Sequence, residues 1–211
     1  MIAPGPGHAP TAEIRILALG DSYTIGEAVA ETDRWPVRLA SMLRARGLHV
    51  AAPTIIARTG WTTDELSSEI DAARPDSAYD LVTLLIGVNN QYRGRSENEY
   101  RAQFRALLQR AIAFARGRAT RVVVVSIPDW GVTPFADGRD RHAIAQAIDR
   151  FNAVNREEAG RVGAHYADIT PLSRRAANDA SLVAPDGLHP SASMYAAWLD
   201  LVFPVALRAL S

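Results

Sequence analysis

Five apolar runs that alternate with amphipathic segments constrain the fold of this chain more than any other feature. The runs are IRILALG from Ile14, HVAAPTIIA from His49, DLVTLLIG from Asp80, RVVVVSI from Arg121 and GAHYAD from Gly163. The third and fourth are almost continuously apolar, which is typical of parallel strands covered on both faces. We therefore predict an α/β fold with three layers, α/β/α, around a mainly parallel sheet.

Helix signals occupy the segments between these runs. Thr62 with Glu65, and Ser96 with Glu99, have the spacing of capping boxes that open helices. Pro204 should end or kink the last helix. Buried helix faces are predicted from the apolar residues Trp35, Leu39, Met42, Leu43, Tyr100, Phe104, Leu107, Leu108, Ile144, Ile148, Phe151, Met194, Tyr195, Trp198, Leu199 and Val202.

The length of 211 residues, 48% of them hydrophobic, suits one well-packed domain. Residues 1–12 are rich in Pro and Gly, and we predict a flexible tail there, followed by a single domain over residues 13–211. The start of the chain has no signal-peptide pattern, so we expect a cytoplasmic protein, or a secreted or periplasmic one where a leader has been removed.

The composition argues against several classes of function. The 23 basic and 23 acidic residues cancel, so no net charge favours nucleic acid as a partner. Cysteine is absent, which excludes disulfides, thiolate metal sites and a cysteine nucleophile. No run approaches the roughly 18 apolar residues of a membrane span, and no group of His, Asp and Glu has the spacing of a metal site.

The most distinctive polar residues follow the predicted strands. Gly-Asp-Ser, ending at Ser22, follows the first strand, and Gly60 and Asn89 lie after the second and third. Asp186 and His189 precede the last helix. In open parallel sheets, functional loops lie beyond the carboxyl ends of the strands, so these residues should meet at one edge.

These residues form the set that serine acyl transfer requires. A hydroxyl such as Ser22 needs a base, which His189 offers, and a carboxylate such as Asp186 orients the imidazole. The N–H groups of Ser22 and Gly60 and the amide of Asn89 are suitable oxyanion donors. Several of these residues alone also have a structural interpretation: Ser22 as a helix cap, and Gly60, Asn89 and Asp186 as turn residues.

Four blocks, GDS, the glycine of RTGW, GVNN and DGLHP, resemble those of the SGNH (GDSL-type) esterases and lipases, in the same order over residues 14 to about 203. The resemblance implies a flavodoxin-like five-stranded parallel sheet of order 2-1-3-4-5. It also implies a catalytic triad of Ser22, Asp186 and His189, an oxyanion hole from Ser22, Gly60 and Asn89, and no metal or organic cofactor.

Two positions depart from the commonest form of the family. Tyr23 stands where leucine is usual, and we expect it to change packing or access. Asn90 stands where many members have aspartate, which removes a carboxylate beside the oxyanion site and leaves Asn89 intact.

Several side chains are candidates for substrate binding. Trp130 and Phe135 lie in an apolar segment after the fourth strand, which either forms a wall of the site or packs on the body of the protein. Tyr23 and Tyr92 follow Ser22 and Asn89. Arg93 and Arg95 are candidates for an anionic group, against the commoner role of solvated arginines.

The predicted function is hydrolysis of small or lipid-like esters, including lysophospholipids and thioesters, through an acyl-enzyme. Two alternatives remain, a carbohydrate O-deacetylase and a non-catalytic binding module on the same fold. An α/β-hydrolase is excluded because Thr24 replaces the last glycine of Gly-x-Ser-x-Gly. A flavin or nucleotide site is disfavoured because the first loop lacks a glycine-rich phosphate motif. The oligomeric state is left open.

Overall fold

A computed structural model describes residues 13–76 and 78–211 of the chain. The tail predicted over residues 1–12 lies outside the described residues.

All five predicted strands are present, and they form one parallel sheet in the predicted order 2-1-3-4-5. Strands β1, β3 and β4 are buried along their whole length, as expected for strands covered on both faces. The strands are β1 Ile16–Gly20, β2 Thr54–Ala57, β3 Leu81–Leu85, β4 Val122–Val125 and β5 His165–Ala167.

Eight α-helices lie in the described part of the chain, and the longer ones cover both faces of the sheet. They are α1 Ser22–Ile25, α2 Trp35–Ala45, α3 Thr63–Ala73, α4 Val88–Tyr92, α5 Glu97–Phe114, α6 Arg141–Val162, α7 Thr170–Ser173 and α8 Ala192–Leu210. Helices α2 and α8 contact each other in one layer, and α3, α5 and α6 form the opposite layer. The predicted α/β/α architecture is therefore confirmed.

The predicted capping boxes open helices α3 and α5. The Thr62 backbone N–H donates to the Glu65 carboxylate at 2.8 Å, and both halves of that box are formed. The Ser96 hydroxyl accepts a hydrogen bond from the Glu99 N–H at 3.2 Å. These local bonds fix the start of the helices that follow β2 and β3.

Two boundaries differ from the prediction. The second strand begins only at Thr54, because Pro53 has no N–H to donate to a neighbouring strand. Pro204 does not end the last helix, which continues to Leu210. Pro204 has no N–H to donate to the backbone carbonyl of Asp200, four residues earlier. Both residues are exposed, so water can bond to that carbonyl.

Helix α8 is also long and apolar enough to cross a membrane, by length and composition alone. In this structure it packs against α2 and strands β3, β4 and β5. Its buried residues include Tyr195 and Trp198, both with no exposed surface. The apolar composition of α8 is thus accounted for by its place in the core.

The carboxyl ends of the first three strands lie side by side. Gly20, the last residue of β1, is in register with Ala57 of β2 and with Leu85 of β3. The segments that follow these strands, and that carry Ser22, Gly60 and Asn89, therefore leave the sheet at the same edge.

Candidate active site

Ser22 is the first residue of α1, directly after β1. The cap of this short helix is Asp21, whose Oδ1 accepts a hydrogen bond from the Tyr23 N–H at 3.0 Å. The interpretation of Ser22 as the cap is therefore wrong. Instead, Ser22 lines a cavity at the carboxyl edge of the sheet.

Gly60 and Asn89 line the same cavity. Gly60 has a φ of +87°, a conformation that favours glycine. Neither its N–H nor that of Ser22 donates a hydrogen bond to any residue in the described ranges. Within those ranges, both N–H groups are therefore available to a ligand in the cavity.

The amide of Asn89 is held in one orientation. Its Nδ2 donates to the backbone carbonyl of Trp61 at 2.9 Å, which leaves a second amide hydrogen for a ligand. Asn89 belongs to α4, whose N-terminal cap Gly87 has a φ of +129°. A Cβ at Gly87 would collide with the Tyr100 ring, so glycine is required where the chain turns into α4.

His189 and Asp186 form a closely bonded pair in the loop before α8. The His189 Nδ1 lies 2.6 Å from the Asp186 Oδ2. The Asp186 Oδ1 accepts hydrogen bonds from the N–H groups of Leu188 and His189, both at 3.0 Å. Burial alone would raise the pKa of Asp186, but these hydrogen bonds lower it below its ordinary value. The carboxylate is therefore charged beside the imidazole.

His189 lines the same cavity as Ser22. In the described part of the chain, no hydrogen bond joins their side chains. Hydrogen bonds between catalytic groups are often long in the absence of substrate and shorten in the complex. The structure thus brings Ser22, Gly60, Asn89 and His189 to one cavity, with Asp186 behind the imidazole.

The four predicted substrate-binding residues, Tyr23, Tyr92, Trp130 and Phe135, also line this cavity, which has a volume of about 150 Å³. Tyr23 is buried and meets the His189 ring edge to face, with centroids 5.6 Å apart. Tyr92, Trp130 and Phe135 contact one another, with centroids 5.5–6.1 Å apart. Trp130 and Phe135 of the segment after β4 thus line this cavity, and Trp130 is also buried in the core of the protein.

Contacts that the sequence analysis did not identify hold this wall in place. The Trp130 Nε1 donates to the Gln91 Oε1 at 2.8 Å. The buried Asp129 accepts hydrogen bonds from the Gly131 N–H at 2.9 Å and from the Arg174 Nε at 2.9 Å. No local pattern predicts the bonds from Trp130 to Gln91 and from Arg174 to Asp129, because the partners are distant in sequence.

Asn90 has a structural role beside the cavity. Its Oδ1 accepts a hydrogen bond from the Thr63 N–H at 3.1 Å, and its Nδ2 donates to the Thr63 Oγ1 at 2.7 Å. Asn90 therefore joins α4 to the start of α3, next to the Gly60 loop. The amide serves here because it both accepts and donates, which a carboxylate does not.

Arg93 and Arg95 are bound to protein groups. Arg93 pairs with Glu65 at 3.1 Å and donates to the Gly60 carbonyl at 2.6 Å. Arg95 pairs with Asp64 at 2.9 Å and with Glu99 at 3.0 Å. Their acidic partners are already present, which favours a structural role over anion binding.

The buried carboxyl of Asp21 lies directly before Ser22. Burial raises the pKa of Asp21 to about 7, although the hydrogen bond from the Tyr23 N–H opposes that rise. Its Oδ2 has no hydrogen-bond partner in the described ranges. Over the same residues, no group of three or more His, Asp and Glu side chains is arranged to hold a metal ion.

A family model described as the GDSL-like lipase/acylhydrolase family matches residues 18–197, which include every candidate residue named above. The chain belongs to this family. As a family member it is a hydrolase that acts on ester bonds. A search of curated proteins gave no match.

Solved structures share this fold. TesA has a TM-score of 0.72 at 19% identity, over 93% of this chain and 99% of TesA. The psychrotrophic esterase EstA from Pseudoalteromonas sp. has a TM-score of 0.68 at 16% identity, over 94% and 99%. Axe2, an acetylxylan esterase from Geobacillus stearothermophilus, has a TM-score of 0.67 at 18% identity, over 94% of each chain. At these identities the likeness shows the fold.

Proposed function

We propose that this GDSL-family hydrolase is a serine esterase that works through an acyl-enzyme on Ser22. The observation that carries the proposal is one cavity lined by Ser22, Gly60, Asn89 and His189, with Asp186 bonded to the far side of the imidazole. The protein provides a nucleophile, a base and oxyanion donors in one place.

The reaction starts with attack of the Ser22 Oγ on the ester carbonyl, while the His189 Nε2 takes the hydroxyl proton. The charged Asp186 fixes the tautomer and stabilises the imidazolium. The oxyanion of the tetrahedral intermediate accepts hydrogen bonds from the N–H groups of Ser22 and Gly60 and from the Asn89 amide. His189 then protonates the leaving alcohol, and water hydrolyses the acyl-enzyme by the same steps. A thioester would react in the same way, with a thiol as leaving group.

The cavity size favours a short acyl or aryl group. Its volume is about 150 Å³, and an engineered cavity of about that volume in another protein holds benzene. A long acyl chain, such as that of a lysophospholipid, would have to extend out of the cavity along Phe135, whose side chain is 40% exposed. We therefore expect short esters to react faster than lipid-like ones.

A carbohydrate O-deacetylase is the second candidate. Tyr92 and Phe135 are 45% and 40% exposed and lie at the same cavity. Exposed aromatic rings offer apolar faces on which a sugar ring can stack, while an acetyl group fits the small cavity beneath them. The likeness to Axe2, an acetylxylan esterase, is in keeping with this candidate.

The test is a p-nitrophenyl ester series from acetate to palmitate, assayed with the wild type, Ser22→Ala and a control, Ser193→Ala. Ser193 is an exposed serine of α8. We expect Ser22→Ala to abolish turnover, Ser193→Ala to leave it unchanged, and short chains to be preferred. Acetate release from acetylated sugars, without turnover of medium chains, would favour the deacetylase. A folded protein that hydrolyses no ester and does not react with a fluorophosphonate would be a binding module.

A further inference from the structure

Arg139 lies in the loop between β4 and α6 and stacks on the aromatic wall of the cavity. Its guanidinium carbon is 5.3 Å from the centroid of the Tyr92 ring, 5.5 Å from that of Trp130 and 5.1 Å from that of Phe135. Its Nη2 also lies 3.3 Å from the Tyr92 hydroxyl oxygen, to which it donates. All three rings line the cavity that contains Ser22. This cation therefore lies against residues of the cavity wall and is not itself one of the lining residues.

The charge of Arg139 is not balanced by the protein. In residues 13–76 and 78–211 it forms no ion pair, whereas Arg93 pairs with Glu65 and Arg141 pairs with Asp137. The neighbouring Asp140 caps α6 through a hydrogen bond from the Ala143 N–H at 2.9 Å. The acidic groups of this loop are thus engaged elsewhere, and Arg139 is an exposed residue.

We propose that Arg139 is a specificity-determining residue that selects esters carrying an anionic group, a carboxylate, phosphate or sulfonate, on the part of the substrate that leaves the cavity. This inference rests on the proposed function of the same site. A guanidinium binds such groups through paired N–H donors, and it is weakly hydrated, so it loses little on contact with them. The three rings hold the side chain in place and exclude water from one face, which lowers the cost of ordering it when substrate binds.

The anionic group can belong to the acyl part or to the alcohol part of the ester, and two substrate pairs separate these cases. In the first pair, p-nitrophenyl hydrogen glutarate carries the charge on the acyl side, and p-nitrophenyl pentanoate is its neutral counterpart. In the second pair, para-sulfophenyl acetate carries it on the leaving group, and para-sulfamoylphenyl acetate is neutral. Each pair is assayed with the wild type, Arg139→Gln, Arg139→Lys and a control, Arg208→Gln, in which an exposed arginine near the end of α8 is replaced.

The preference for the anionic ester is the ratio of its kcat/KM to the kcat/KM of the neutral ester. We expect Arg139→Gln to lower this preference by about fivefold in one pair, chiefly because the KM of the anionic ester rises. Arg139→Lys should keep part of the preference, Arg208→Gln should keep all of it, and added salt should weaken it in the wild type. The pair that responds identifies the charged side of the substrate.

The proposal would be overturned if Arg139→Gln left the preference for the anionic ester unchanged in both pairs, while hydrolysis of the neutral esters still required Ser22. Hydrolysis of the neutral esters that survives Ser22→Ala would instead refute the proposed function. The two failures are therefore distinguishable in the same set of assays.

Discussion

Replacing Asn89 with alanine tests the proposed oxyanion hole most specifically. One hydrogen of the Asn89 amide is already used by the Trp61 carbonyl at 2.9 Å. The side chain lines the cavity beside the two unpaired N–H groups, and its second hydrogen is the donor that we assign to the oxyanion. Alanine removes that donor and leaves Ser22, His189 and Asp186 unchanged.

The two bonds of the amide predict effects of different size. Loss of one oxyanion donor costs about 2.7–4 kcal/mol in the transition state, or roughly 10²–10³ in kcat. Loss of the hydrogen bond to the Trp61 carbonyl lowers the free energy of unfolding by about 1 kcal/mol. KM should change little, because the bond to the oxyanion forms fully only in the transition state.

The assay is steady-state hydrolysis of p-nitrophenyl acetate, combined with urea unfolding of the same samples. Asn90→Ala is the matched control, because Asn90 is the adjacent amide and its side chain, over the described residues, bonds only to Thr63. Asn90→Ala should lower the free energy of unfolding by about 1–3 kcal/mol, which is more than Asn89→Ala lowers it. Its kcat should fall less than the kcat of Asn89→Ala. A folded Asn89→Ala protein with kcat within about tenfold of the wild type, or with a change confined to KM, would refute the assignment.

Three further predictions concern the surroundings of the site. Asp186→Asn should lower kcat by about 10²–10⁴, because the imidazole loses its orienting charge, while thermal unfolding changes little; an unaltered kcat would exclude this role. Gly87→Ala should destabilise the protein by about 3 kcal/mol or more in urea unfolding, since alanine is strained at a φ of +129° and meets the Tyr100 ring. The Asp21 pKa, raised from 3.8 to about 7, means that the folded protein binds more protons than the unfolded chain between these values. Stability should therefore fall as pH rises through that window, and Asp21→Asn, which keeps a capping side chain, should flatten the slope; an equal slope in both proteins would contradict the assignment.

The sequence predicted the features that follow from local patterns. The apolar runs located all five strands, and the capping boxes at Thr62 and Ser96 marked the helices that follow β2 and β3. The loops after parallel strands share one edge of the sheet, so placing Ser22, Gly60 and Asn89 in those loops was enough to predict that they meet. The order of the strands came from the resemblance to the GDSL family, since local patterns do not determine it.

The remaining features depend on contacts between distant parts of the chain. The bonds from Trp130 to Gln91 and from Asn90 to Thr63 join residues 39 and 27 positions apart. Arg139 resembles any other loop arginine until the fold brings three aromatic rings beneath it. Of the two effects predicted for Pro204, an end of the helix does not occur, since a proline within a helix is tolerated when the carbonyl it leaves unpaired is exposed to water.

The most direct test of the account is the site at which a fluorophosphonate reacts. A fluorophosphonate ester forms a covalent bond with an activated serine, and mass spectrometry of the intact protein and of its peptides then locates the adduct. We predict one phosphonyl group per chain, on Ser22, and much slower labelling of His189→Ala. An adduct on another residue, or labelling that persists in Ser22→Ala, would contradict the assignment of Ser22 as the nucleophile.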